Sequence, residues 1–250
     1  MKSTPQKGDF EATRHQPNGS AAFTPLQLSI TPNPRKSQDP IASLKVKRRG
    51  CRAPRALIFD CDGTLADTMP LHWRAWQAIA TRYGLKFPEQ RFYALGGVPS
   101  RDILKTLSIE QGVLLDHLAV SREKEAEYLP LISQIEPINA VVGIARAHLG
   151  KIPLAVASGG TRGVIEQVLE HLNIRGLFEM IVTSEDVVNQ KPAPDIFLEA
   201  ARRLGVPPRF CRAYEDTDLG LQAIRAAGMQ AVDVREFVAA ERSRKNNHRP

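Results

Sequence analysis

The sequence predicts an α/β fold, a parallel sheet with helices on both faces and an inserted helical block. Three observations predict it. Short, largely apolar runs recur at Ala56–Phe59, Ile152–Ala157, Met180–Val182, Arg212–Tyr214 and Ala231–Val234. From the second run onward, strand-like runs alternate with stretches of helical periodicity, the texture of a parallel sheet. Between the first and second runs, residues 69–140 are helical in pattern and poor in strands.

The body begins near Arg55. Ala56-Leu57-Ile58-Phe59 is apolar without alternation, as a strand buried on both faces requires. Asp60-Cys61-Asp62-Gly63-Thr64-Leu65 follows at once, with the glycine where the chain must bend. Two carboxylates thus sit two residues apart at the C-terminal end of a strand, where open α/β sheets place their ligands. Their charges repel at neutral pH. A cation relieves that repulsion, and oxygen-only ligands suit Mg²⁺. Two solvated aspartates in a turn are the plain alternative, and the buried strand running into the pair weighs against it.

Leu71–Ala80 has apolar residues at helical spacing, and Ile103, Leu104 and Leu107 repeat the pattern. Glu123–Leu129 continues it with alternating charge. Ile138–Leu149 reads as another helix, ended by Gly150. Ile152–Ala157 is the second buried strand, followed by Ser158-Gly159-Gly160-Thr161 and a helix over Gly163–Leu172. Met180–Val182 is the third strand, and Pro194–Leu204 a helix. Arg212-Ala213-Tyr214 is a weaker strand, because Arg212 sits awkwardly inside it. Leu219–Ala227 is a helix capped by Gly228, and Ala231–Val234 the last strand. The domains expected are a core over 55–68 and 141–240, a helical cap over 69–140, and basic tails over 1–54 and 241–250.

The formal net charge of +7 is unevenly placed. Residues 1–55 hold eleven Lys/Arg and three Asp/Glu, which is +8; residues 56–250 hold 23 and 24, which is −1. The body therefore carries no electrostatic footprint for nucleic acid. The tail also holds seven of the eighteen prolines and reads as disordered or loosely docked. Its Lys45-Val46-Lys47-Arg48-Arg49 cluster is read as a solvated extension. A transit peptide and a nucleic-acid or membrane-surface contact stay open, since acids are sparse. No apolar stretch approaches the ~20 residues of a membrane span, so no membrane partner is expected. Three cysteines (Cys51, Cys61, Cys211) without metal-type spacing fit a reducing compartment. A cytoplasmic location is the expectation, with organellar import through the tail left open.

Four polar signatures follow strands: Asp60/Asp62; Ser158-Gly159-Gly160-Thr161; Lys191-Pro192-Ala193-Pro194-Asp195; and Glu215-Asp216. Singly, each is an ordinary turn, surface lysine or helix cap. In a parallel sheet all four converge on one edge. Together they supply what phosphoryl transfer to a carboxylate requires: a divalent cation site, a lysine, hydroxyl and N–H donors for phosphate oxygens, and a second carboxylate for proton transfer.

With these motifs the sequence resembles the haloacid dehalogenase-like hydrolases over residues 55–235, in particular their β-phosphoglucomutase and sugar-phosphate phosphatase branch. The resemblance implies a Rossmann-like core with an α-helical cap, Mg²⁺ as cofactor, a small phosphorylated sugar as substrate, and a monomer. It implies Asp60 as the nucleophile and Asp62 as the general acid/base, with the Asp62 main-chain carbonyl on the metal. Asp216 is implied as a further metal ligand, and Glu215 as a direct or water-mediated one. Ser158 and Lys191 bind phosphate, helped by the N–H groups of Gly159 and Cys61. The Cys61 side chain is read as packing.

His72 and Trp76 lie four residues apart, so they share a helix face. With Thr68 they match positions lining the cap–core cleft in the resembled mutases. Gly97-Val98-Pro99-Ser100-Arg101 resembles the cap's specificity loop, where Arg101 could hold a second phosphate or a carboxylate. The mutases have a lysine before that glycine; this chain has Gly96. The loop looks more like that of the fructose-1-phosphate and 6-phosphogluconate phosphatases. The reading is therefore a Mg²⁺-dependent sugar-phosphate phosphatase. β-Phosphoglucomutase is the alternative, and a non-catalytic binding protein on the same fold a second.

Overall fold

The structure is a computed structural model that describes residues 53–246. The expectations for residues 1–52, including the Lys45–Arg49 cluster and Cys51, lie outside the described residues, as do those for 247–250.

Five strands, β1 (Ala56–Phe59), β2 (Leu154–Ala157), β3 (Met180–Val182), β4 (Cys211–Glu215) and β5 (Gln230–Asp233), form one parallel sheet in the order β3-β2-β1-β4-β5. β1 lies between β2 and β4, with Phe59 level with Val156 on one side and Tyr214 on the other. The chain leaves β1 toward one edge of the sheet and returns to its other side. That reversal creates the crevice where ligands bind in such sheets.

Alternate strand residues serve two cores. Leu57, Phe59, Leu154, Val156, Ile181 and Tyr214 face α5 (Asn139–His148), α6 (Arg162–His171) and the start of α9 (Arg235–Asn246). Ala56, Ile58, Ala155, Val182, Cys211 and Ala213 face α7 (Asp195–Arg203) and α8 (Asp218–Ala226). Small residues on the second face let those helices approach closely. β1 and β2 are buried on both faces, which is why their sequences lack alternation.

The helical block contains α1 (Met69–Tyr83), α2 (Glu89–Ala94), α3 (Ser100–Gln111) and α4 (His117–Tyr128), then a 3₁₀ turn over Leu129–Gln134. Pro70 opens α1, and Gly84, at φ 64°, ends it. Trp76, Ile79, Phe87, Phe92, Leu104 and Leu107 form a separate small core for this block. Its two connections run side by side, with Ile138 N–H donating to the Leu65 carbonyl at 2.9 Å.

Several expected boundaries shift. β2 begins at Leu154 rather than Ile152, and α2 is an additional helix. Arg212 sits within β4, half-buried, because its guanidinium donates to the Gln230 side chain on the neighbouring strand at 3.0 Å. Residues 241–246 were expected in a tail, yet α9 continues to Asn246. Glu241 ties it to α5 by accepting from Ala140 N–H at 3.0 Å. Among the described residues no helix is long and apolar enough to cross a membrane.

Candidate active site

Asp60 is the first residue beyond β1, and its N–H donates to the Tyr214 carbonyl at 3.0 Å, extending the β1–β4 ladder. The ladder therefore sets Asp60 beside Glu215, the last residue of β4. Lys191 Nζ bridges them, donating to Asp60 Oδ1 and to Glu215 Oε2 at 2.7 Å each. All three side chains are buried. Two buried carboxylates thus face one ammonium, so Lys191 alone cannot balance them both.

Asp216 adds a third carboxylate, its Oδ1 accepting from Thr64 Oγ1 at 3.0 Å. Oxygens of Asp60, Glu215 and Asp216 lie within 4.8 Å of one another, a spacing that could hold a cation. Two glycines make room for the cluster. A Cβ on Gly63, which sits at φ 79°, would run into the Asp216 carboxyl, and one on Gly220 into that of Glu215. Burial, then the Glu215 charge, push Asp60 well above the usual carboxylate range, with Lys191 opposing. Burial and Glu215 likewise push Asp216 up to about 7. Raised carboxylates with hard oxygen donors are the chemistry a divalent cation satisfies.

Asp62 has a different environment. Its side chain is turned toward the cap and is not part of that cluster. Thr68 Oγ1 donates to its Oδ1 at 2.8 Å, and His72 Nε2 lies 3.2 Å from the same oxygen. Ser158 Oγ faces the other oxygen, Oδ2, at 3.4 Å. Burial works against ionisation here, but the His72 and Thr68 hydrogen bonds and the Lys124 charge outweigh it and hold Asp62 at about 2. Identical side chains two residues apart are thus pushed in opposite directions.

Asp60, Asp62, His72, Trp76, Gly97, Arg101, Ser158 and Gly159 all line one cleft of about 380 Å³ between cap and core. Trp76 also belongs to the cap's core. Thr68 is fully buried and acts on Asp62 rather than on the cleft surface. Lys191, Glu215 and Asp216 do not line it, but Lys191 lies directly behind Asp60, which does. Ser100 and Arg101, expected in a loop, form the first turn of α3 behind Pro99, and the Arg101 side chain is about half exposed at the cleft rim. Burial pushes the Cys61 thiol well up, which keeps it protonated as a packing residue.

Lys124 does not stand out in the sequence. It lies on α4 in a run of alternating charge, yet it is buried, with Nζ 2.8 Å from His72 Nδ1. Burial lowers it to about 8 despite the Asp62 and Glu125 charges. The available signal was spacing: Val120, Lys124 and Tyr128 recur every four residues on the buried face of α4. Thr64 and Thr217 do not stand out either, since a threonine after a motif gives no periodic signal.

Comparison with known proteins agrees with this geometry. The family model for haloacid dehalogenase-like hydrolases matches residues 57–234. A fructose-1-phosphate phosphatase of Escherichia coli (YqaB) is 42% identical over 180 residues, covering 72% of this chain and 95% of the relative. A β-phosphoglucomutase of Bacillus subtilis is 32% identical, covering 72% and 83%. Among solved structures, CbbY of Rhodobacter sphaeroides in complex with xylulose-(1,5)bisphosphate superposes with a TM-score of 0.65 at 26% identity, covering 71% and 84%. With its strand order, its paired aspartates and the lysine bridging two carboxylates, this chain belongs to the haloacid dehalogenase-like hydrolases.

Proposed function

We propose that the protein is a phosphatase of small phosphorylated sugars that works through a phosphoryl group carried on Asp60. The observation that carries this reading is the division of labour between Asp60 and Asp62. Asp60 is fixed by Lys191 among the metal-type carboxylates, whereas Asp62 faces the cap with a histidine and two hydroxyls.

An Asp60 oxygen attacks phosphorus, and the bond from phosphorus to the sugar oxygen breaks. Ser158 and Lys191 hold the phosphate oxygens as charge redistributes. Asp62, at the cleft surface, gives its proton to the departing alkoxide. A substrate phosphate brings negative charge beside Asp62, which favours its protonated form for this half. In the second half ionised Asp62 takes a proton from water, the water attacks the phosphoryl group, and Asp60 is released. Asp60, Asp216, Glu215 and the Asp62 main-chain carbonyl would hold Mg²⁺. The ion, when bound, offsets the repulsion between carboxylate and phosphate.

The cap favours hydrolysis over mutase chemistry. A mutase must grip a second phosphate while it turns the intermediate over. Position 96 carries no cation, and Arg101 is half exposed beside Asp102. The 42% identical phosphatase supports the same side. The test is a panel of fructose 1-phosphate, 6-phosphogluconate and β-glucose 1-phosphate, the last with a trace of the 1,6-bisphosphate. Free phosphate is the expected product. Glucose 6-phosphate formed from the third substrate would replace the phosphatase reading with the mutase one.

A further inference from the structure

At Gly96, Gly97 and Gly159 the cap and core approach each other across a seam so closely that a side chain would meet its neighbours. A Cβ on Gly96 would lie 2.9 Å from the Thr217 methyl carbon, and one on Gly159 2.6 Å from the Gly97 carbonyl oxygen. Gly97 itself is at φ 84°, and a Cβ there would lie 3.3 Å from Cδ of Lys191. The Thr217 methyl cannot swing away. Thr217 Oγ1 donates to Glu215 Oε1 at 2.7 Å and accepts from Gly220 N–H at 3.1 Å, which fixes the rotamer of a β-branched side chain. The Thr217 N–H donates to the same Glu215 oxygen at 3.1 Å. Glu215 in turn holds Lys191, and Lys191 holds Asp60.

We infer that Thr217 is a positioning residue that gauges cap closure: its methyl admits only a residue without a side chain at 96, and its hydroxyl and amide fix the Glu215 carboxylate beneath the nucleophile. One residue thus touches the cap on one side and the Glu215–Lys191–Asp60 chain on the other. A cation at 96 cannot be seated while the cap rests on Thr217, so the seam itself removes a distal-phosphate contact. The catalytic consequence rests on the phosphatase reading; the steric gauge does not.

The test uses the full chain and two readouts. Amide hydrogen exchange over residues 95–99 reports closure without substrate, and kcat and KM for fructose 1-phosphate report its consequence. Gly96→Ala should speed that exchange and lower kcat/KM about tenfold, mostly through KM, as expected of an overpacked contact. Adding Thr217→Ser, which deletes the methyl and keeps the hydroxyl, should restore both to within about threefold of the parent, since the methyl is the nearest atom to that Cβ and the next, the Tyr93 carbonyl oxygen at 3.3 Å, lies within the cap itself. Gly159→Ala should open the seam too, but Thr217→Ser should not rescue it, because that clash is with a main-chain oxygen. Thr217→Val should lower kcat while leaving seam exchange close to the parent's. Unchanged exchange in Gly96→Ala, or a defect that persists in Gly96→Ala/Thr217→Ser, overturns the proposal. A parent enzyme that hydrolyses no sugar phosphate defeats the functional reading alone, and the exchange arm still decides the gauge.

Discussion

Lys124 dictates the tautomer of His72. An ammonium can only donate, so His72 Nδ1, 2.8 Å away, must accept. The ring proton of neutral His72 then resides on Nε2, where it donates to Asp62 Oδ1. Burial, then the Lys124 charge, lower the His72 pKa and keep the ring neutral, with Asp62 opposing. A cap lysine thus orients the contact to Asp62, the acid/base of the proposed reaction, through a ring that stacks on Tyr128.

Lys124→Met should therefore cost more in kcat than in KM. A drop in kcat of roughly ten- to a hundredfold is expected, a fraction of what a general acid/base supplies. The same variant has a stability signature. Folded Lys124 titrates at about 8 against 10.5 in a free chain, so the unfolded state binds more protons between those values. The parent should gain stability relative to Lys124→Met as pH rises from about 8 to 10.5. Urea titrations across that range check it, and a parent curve that falls instead contradicts the assignment.

Asp60→Asn should reduce phosphate release to background while the fold survives. Lys191 keeps one counter-charge in Glu215, and the substitution removes a carboxylate that burial already disfavours. The metal-free melting temperature should hold or rise. Calorimetry beside a phosphate-release assay tests both halves, and residual turnover would remove Asp60 from its role.

Divalent cation should stabilise more at pH 7.5 than at pH 5.5. Folded Asp216 is raised from 3.8 to about 7, so the metal-free folded state binds the extra proton and loses stability as pH climbs between these values. Mg²⁺ binding needs the ionised form and reverses that loss. Melting curves with Mg²⁺ and with EDTA at the two pH values are the measurement. An equal shift at both would contradict the carboxylate cluster as the binding site.

Gly63→Ala should be among the most damaging small substitutions. The left-handed backbone at φ 79° costs an alanine about 1–2 kcal/mol, and its Cβ would meet the Asp216 carboxyl. Lower stability in urea together with loss of the Mg²⁺-dependent shift is expected. Loss of one without the other would separate backbone strain from site geometry.

The core was legible because its signals are local and repeated. Buried parallel strands write continuous apolar runs, and three of the four polar signatures stand directly after one, Lys191 following its strand at a distance. Residues whose importance is purely three-dimensional were not legible. Lys124 looks like its charged neighbours until α4 is folded against α1. Thr217 gains meaning from Gly96, more than a hundred residues away. Arg212 looked wrong for a strand because its partner Gln230 lies on the next one. The end of α9 was hidden because a polar, basic helix terminus has the composition of a tail.

The position of β1 between β2 and β4 has a consequence for how the molecule is made. As the chain is synthesised, β1 emerges first of the strands, yet its β4 edge stays unpaired until Cys211–Glu215 appear. Asp60, Asp62, Ser158 and Lys191 can all be present while Lys191 has no Glu215 to hold it. Asp60 is among the first parts made and among the last to gain its partners, so an incomplete chain carries its motifs without the pairing that brings them together.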